Sequence, residues 1–204
     1  MIGNVIVGQS GGPTSVINAS LVGVYKTALD VGADKIYGMI NGMYGFLDEK
    51  YVDLKECIHN DLEIELLKRT PSSYLGSCRF KLPDYNIDEK PYIKAFNLLK
   101  KLDIKYFFYI GGNDSMDTLS KMGAYGRKIG SDIRFVGVPK TIDNDLCATD
   151  HTPGYGSAAK YIATVTQEVI RDCAVYTVKA VTIVEIMGRD AGWLTAAAAL
   201  PRII

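Results

Sequence analysis

The chain alternates between short, nearly continuous apolar runs and longer stretches in which apolar residues return every three or four positions. Residues 2–7, 34–40, 106–110, 133–138 and 180–186 are runs of the first kind and predict buried strands. Residues 16–31 carry Val16, Ile17, Leu21, Val24, Tyr25 and Leu29 at helical spacing. Residues 88–102 do the same with Ile93, Phe96, Leu99 and Leu102, while Lys94, Lys100 and Lys101 form a solvated face. A third helix runs to about residue 128 with Met116, Leu119 and Met122 inward, a spacing that reads as core packing. A long helix over 157–174 and a last one from about Ala191 complete the pattern. Gly38 weakens the second strand, residues 41–46 (NGMYGF) read as a glycine-bearing loop, and 52–67 is mixed. Alternation of strand and helix predicts an α/β fold: a Rossmann-like, mainly parallel sheet flanked by helices, with the start of a second α/β lobe. The division expected is residues 1–140 and 141–204.

Four of the predicted strands end in polar or glycine-rich loops, at residues 8–15, 111–118, 139–146 and 187–190. In an open parallel sheet such ends share one edge, which is where ligands bind. The first, GQSGGPTS, offers Gly11 and Gly12 for close backbone approach, with Thr14 or Ser15 as the cap of the following helix. Strand, glycine turn and helix present backbone N–H groups to a phosphate. The second, GGNDSMDT, repeats that logic with Asn113, Asp114 and Ser115. The third, PKTIDND, brings together Lys140, Thr141, Asp143 and Asp145: a cation, a hydroxyl and two carboxylates, the groups that phosphoryl transfer asks for. As a lone motif it reads equally well as a polar turn. The fourth, MGRDAGW, sets Arg189 just past a strand end. Arg79, after the small-residue turn at 70–78, has a guanidinium that can fork onto phosphate oxygens, although most such arginines are solvated.

Composition narrows the class. Of 204 residues, 48% are hydrophobic and 23% charged, which is ordinary for a globular chain and argues against disorder. The 23 basic and 23 acidic residues cancel, so net charge favours neither nucleic acid nor an anionic membrane as partner. Cys57, Cys78, Cys147 and Cys173 form no CxxC pair, and His59 and His151 lie near no cysteine pair, which argues against zinc. Free thiols in a reducing, cytoplasmic setting are the simplest reading. The N-terminus has no signal-peptide pattern, and no apolar run of 18 residues is present, so no spanning helix is expected.

Taken together, GGPTSVIN, YLGSCR, GGNDS, PKTIDND, TPGYGSA and EIMGRDAG resemble the phosphofructokinases in order and approximate spacing, over essentially the whole chain. The resemblance is closest to the pyrophosphate-dependent branch, which phosphorylates the 1-hydroxyl of fructose 6-phosphate in glycolysis. It implies Asp143 as general base, Asp145 as magnesium ligand or electrostatic partner, and Thr141 at the substrate phosphate region. It also implies Gly11 and Gly12 amides at the transferred phosphoryl group, with Arg79 stabilising its charge. Asn113, Asp114 and Ser115 would line the donor site, with Asp114 a second candidate ligand for Mg2+. Met187, Gly188 and Arg189 would hold the sugar phosphate, and the full-length protein is expected to be a homo-oligomer.

The donor has its own argument within that resemblance. ATP-using relatives typically carry glycine where Asp114 and Lys140 stand. Here a carboxylate fills nucleotide space and opposes a third phosphate, while Lys140 offers a cation to a compact donor, so pyrophosphate is expected, with ATP the alternative donor. Asn113 stands where ATP-using relatives usually have a magnesium-binding aspartate. Where relatives often place an arginine about nine residues before Arg189, this chain has Ala180, with Lys179 beside it. Family chains are much longer, so the resemblance implies an N-terminal portion that is inactive alone. A non-catalytic sugar-phosphate or phosphate-binding regulator is the remaining alternative, and an intact TIDND counts against it.

Overall fold

The computed structural model describes residues 3–200. The chain divides into two compact units, Met1–Lys140 and Thr141–Ile204.

In the first unit, β1 (Asn4–Gln9), α1 (Ile17–Asp30), β2 (Ile36–Met39), α2 (Gly42–Leu47) and β3 (Tyr51–Asp53) lead through a single 3-10 turn (Leu54–Glu56) to α3 (Asp61–Arg69). Then come α4 (Lys90–Lys101), β4 (Ile104–Gly111), α5 (Asn113–Lys128) and β5 (Arg134–Pro139). Among the described residues the sheet has the order β3-β2-β1-β4-β5. β1 pairs in parallel with β2 and β4, and β4 in parallel with β5, whereas β3 runs antiparallel on the β2 edge. The chain leaves β1 toward one edge and returns past it to β4, so the strand order reverses between β1 and β4.

Successive side chains of a strand point to opposite faces, and the core follows that period. Val5 and Val7 enter one layer with Ile17, Leu21 and Tyr25 of α1 and Ile64 and Leu67 of α3. Ile6 enters the other with Met43 and Phe46 of α2, Tyr92 and Leu99 of α4 and Met122 of α5. Along β4, Phe107 and Tyr109 take the second layer and Ile110 the first.

Several elements depart from the sequence expectation. The NGMYGF stretch is the helix α2, not a loop: Met43 and Phe46 are fully buried, and that burial outweighs the poor helix propensity of its glycines. Gly38 supports its strand, because a Cβ there would stand 2.7 Å from Leu75 Cδ2 and 3.1 Å from Leu54 Cδ2. Neither Thr14 nor Ser15 caps α1. Its N-cap is Val16, whose N–H donates to Thr14 Oγ1 at 3.4 Å. The mixed stretch resolves into β3 and α3. Asn60 caps α3 by accepting from Glu63 N at 2.9 Å, and Glu63 reaches back to accept from His59 N at 2.8 Å.

The second unit contains α6 (Tyr155–Ala174) and α7 (Trp193–Ala197). Residues 180–186, read as a strand from their apolar run, are not one: Val181 is 91% and Ile183 90% exposed. A strand needs a neighbour to satisfy its backbone, and among the described residues of this unit no other strand offers one. The loop at 187–190 therefore follows no strand, contrary to its expected place at a sheet edge. Among the described residues no helix is long and apolar enough to cross a membrane.

Candidate active site

The first unit gathers three loops where β1, β4 and β5 end side by side. The ladders run one residue past the strands: Ser10 N donates to Ile110 O at 2.9 Å and Lys140 N to Gly111 O at 3.0 Å. The glycine loop after β1 is thereby held level with Gly111, Gly112 and Lys140. Gly11 has φ +78°, a conformation open to glycine at little cost, and open space surrounds the place a Gly12 Cβ would take. Lys140, only 5% exposed, donates from Nζ to Gly12 O.

The turn carrying Arg79 closes onto the same loop. Gly11 N donates to Cys78 O at 3.2 Å and Ser77 Oγ donates to Gly11 O. Cys78 Sγ lies 3.8 Å from the Tyr109 hydroxyl, which accepts from Met43 N at 3.1 Å. Burial pushes that phenol well above the ordinary tyrosine range, so it stays neutral. Arg79 is exposed and lines a cavity of about 340 Å³ with Asn41, Tyr44, Lys50, Ser77 and Cys78. Lys50 Nζ also lies 3.6 Å from the Asp48 carboxylate. Two cations on one small polar cavity favour an anion.

α5 starts at the second glycine loop. Asn113 and Asp114 are exposed on its first turn, where the helix dipole favours a negative group. Ser115 is buried instead, and its Oγ lies 2.0 Å from where a Gly111 Cβ would be. The structure thus brings Gly11, Gly12, Lys140 and the Arg79 turn together, with Ser115 packed beneath the second loop.

The second unit holds the TIDND segment. Thr141 N donates to Pro153 O at 3.1 Å, and Thr152 Oγ1 donates to Thr141 O at 2.7 Å. Asn144, buried and with φ +56°, accepts from Thr152 N at 2.8 Å and donates to Asp150 O at 3.0 Å. Between these anchors Asp143 N donates to Thr141 Oγ1 at 3.0 Å. Asp143 Oδ1 is buried without a hydrogen-bond partner. A polar atom left in that state is costly and marks a candidate reactive group. Asp145 is exposed. Met187, Gly188 and Arg189 form a separate turn, closed by Ala191 N donating to Gly188 O at 2.6 Å.

Among the described residues no three His, Cys, Asp or Glu side chains gather to hold a metal ion. Magnesium asks for less, one or two carboxylates with phosphates and waters supplying the rest. The exposed carboxylates of Asp114 and Asp145 are oxygen donors of that kind.

Gln9, Asn18, Asn144 and Thr152 were not singled out from the sequence. Each is a buried polar residue at a loop junction. The available signal was an amide or hydroxyl inside an otherwise apolar run, as Gln9 is at the end of NVIVGQ.

A family profile described as Phosphofructokinase matches residues 4–202. Pyrophosphate–fructose 6-phosphate 1-phosphotransferase of Halomonas elongata is 43% identical over 203 residues, covering 97% of this chain and 48% of the relative. ATP-dependent 6-phosphofructokinase of Actinobacillus pleuropneumoniae is 35% identical, covering 98% of this chain and 56% of its own. The crystal structure of the pyrophosphate-dependent phosphofructokinase from Nitrosospira multiformis superposes with a TM-score of 0.90 at 41% identity, covering 98% of this chain and 50% of that one. The chain spans about half the length of the curated relatives it matches. The glycine loop, the TIDND segment and these likenesses make the chain a member of the phosphofructokinase family.

Proposed function

We propose that the intact protein transfers a phosphoryl group from pyrophosphate to the 1-hydroxyl of fructose 6-phosphate. The observation that carries this reading is Asp143: its backbone is pinned by Thr141 and its Oδ1 is shielded from water with no donor in reach. Such an oxygen is ready to take the proton of an incoming hydroxyl. The sugar oxygen bonds to phosphorus, the bridging P–O bond of pyrophosphate breaks, and orthophosphate leaves. The Gly12 amide and Arg79 meet the charge that spreads over the transferred group, while the Gly11 amide, given to Cys78 O, shapes the loop instead of facing the phosphate. Met187, Gly188 and Arg189 bind the sugar phosphate, and Thr141 orients it. Asp114 and Asp145 are each candidates to give a carboxylate oxygen to magnesium, which would neutralise phosphate charge.

Pyrophosphate is favoured as donor by Asp114, exposed on the first turn of α5, and by Lys140, whose ammonium is held at the glycine loop by its bond to Gly12 O. The named activity of relatives at about this identity supports the same choice. A glycolytic role in the cytoplasm and a homo-oligomeric assembly belong to this reading. A coupled assay of the intact protein with fructose 6-phosphate, magnesium and either donor tests it. Turnover with pyrophosphate supports the proposal; turnover with ATP alone overturns the donor, and turnover with neither overturns the reaction.

A further inference from the structure

Two fully buried carboxamides, Gln9 (0% exposed) and Asn18 (1%), take no part in the chemistry just described. They bracket the glycine loop: Gln9 is the last residue of β1 and Asn18 the second of α1. Gln9 Nε2 donates to Asn18 Oδ1 at 3.0 Å and to Ile17 O at 3.2 Å, closing the base of the loop. Every other bond of the pair goes to the turn that leads to Arg79. Gln9 Oε1 accepts from Leu75 N at 2.9 Å and lies 3.0 Å from Ser73 Oγ, whose one hydrogen is shared between Gln9 Oε1 and Gly76 O at 2.5 Å. Asn18 Oδ1 accepts from Tyr74 N at 2.9 Å, and Asn18 Nδ2 donates to Thr70 O at 2.9 Å. The backbone donors Leu75 N and Tyr74 N fix which end of each amide is oxygen.

Gln9 thus makes three full bonds and shares the Ser73 hydroxyl for a fourth, and does so away from water. A satisfied buried network of this kind has one good arrangement, since every alternative strands a polar group. The same turn then runs on to Ser77 and Cys78, which bond Gly11 directly. The loop and the turn are therefore joined twice, at the buried base through Gln9 and Asn18 and at the rim through Gly11.

We infer that Gln9 and Asn18 are positioning residues that lock the 70–79 turn to the glycine loop, so that the Gly12 amide and the Arg79 guanidinium form one prearranged phosphate-binding face. The inference rests on the donor site proposed above. Its physical content is that a loop amide and a turn cation move as one body, which spares the donor the cost of ordering them.

Hydrogen exchange and steady-state kinetics on the intact protein test this, comparing wild type with Gln9→Met and Ser73→Ala. Gln9→Met keeps the volume and removes every bond of the carboxamide; Ser73→Ala removes the shared hydroxyl on the turn side, together with its bond to Gly76 O. The expected result for Gln9→Met is a joint loss of protection, tenfold or more, in peptides covering 10–17 and 70–79, with β4 unchanged. KM for pyrophosphate rises about tenfold while KM for fructose 6-phosphate stays within twofold. Ser73→Ala shifts the same readouts in the same direction by less. Loss of protection in one segment only, equal loss throughout the sheet, or equal shifts of both KM values overturns the inference. Should Gln9→Met not fold, Ser73→Ala decides alone: joint loss supports the coupling, and no change or a loss confined to 70–79 overturns it. The exchange measurement needs no turnover, so it stands apart from failure of the proposed reaction.

Discussion

The Lys140 ammonium donates a hydrogen bond to the carbonyl of Gly12, tying the end of β5 to the glycine loop across 128 residues of sequence. With 5% of its surface exposed, this lysine is part of the loop's floor, and the proposed donor site counts it as a cation as well. Lys140→Met retains most of the packing and removes both the charge and the bond. A charged hydrogen bond contributes about 1.5–3 kcal/mol. The expected outcome is a fall of kcat/KM for pyrophosphate of roughly tenfold to a hundredfold, measured by steady-state kinetics, with the KM for the sugar phosphate little changed.

Asp143→Asn keeps the shape of the side chain and the Thr141 contact to its backbone but removes the proposed base. Loss of a positioned general base costs roughly 10²- to 10⁴-fold in rate. We expect kcat to fall in that range with both KM values within a few-fold of wild type. The thermal midpoint should hold or rise, because an orphaned buried oxygen is exchanged for an amide that carries no charge. A normal kcat in this variant would remove Asp143 from the chemistry.

Donor choice is tested by the pair Asp114→Gly with Lys140→Gly. Opening the first turn of α5 and removing the cation should raise ATP use and lower pyrophosphate use. Measured kcat/KM ratios for the two donors should shift by more than tenfold toward ATP, since two changes act in one direction. An unchanged ratio would assign donor selection elsewhere.

Much of this architecture was legible in the chain. The apolar runs at β1, β4 and β5 and the spacing of α1, α4 and α5 gave the parallel sheet, and the glycine-rich loops marked its carboxyl edge. The misses have physical causes. α2 forms because Met43 and Phe46 are drawn into the core, a tertiary effect that local propensity opposes. β3 has only three residues and pairs by backbone with β2, which leaves little periodic signal. The capping residues Asn60 and Glu63 were readable at the start of α3 but sat within a stretch of mixed pattern. Residues 180–186 have strand composition, yet composition does not supply the neighbouring backbone that a strand requires. Gln9 and Asn18 were invisible for another reason: their partners at 70–75 lie more than fifty residues away in sequence.

Gly38 offers a test of packing independent of activity. Gly38→Ala places a methyl group 2.7 Å from Leu75 Cδ2 and 3.1 Å from Leu54 Cδ2, two buried side chains of the core. Overpacking of this kind costs about 1–3 kcal/mol. A lowered denaturation midpoint is expected, and partial relief in the double variant Gly38→Ala with Leu75→Val would locate the strain at that contact.

Tyr92 gives a pH signature. Its hydroxyl donates to Pro83 O at 2.6 Å, and burial pushes its pKa up to about 12. In the unfolded chain a tyrosine titrates near 10. Between those values the unfolded state has lost the proton and the folded state keeps it, so stability falls as pH rises. The contribution is complete below pH about 10 and gone by about 12. Denaturant titrations should show a steeper loss over that interval in wild type than in Tyr92→Phe, which has nothing to ionise.

The most direct test of the central claim is 31P NMR of the intact protein with fructose 6-phosphate, magnesium and pyrophosphate, run beside Asp143→Asn. The account predicts loss of the pyrophosphate signal with matched growth of orthophosphate and of a new sugar phosphomonoester, and near silence in the variant. Orthophosphate without the phosphomonoester, or equal turnover by the variant, would contradict it.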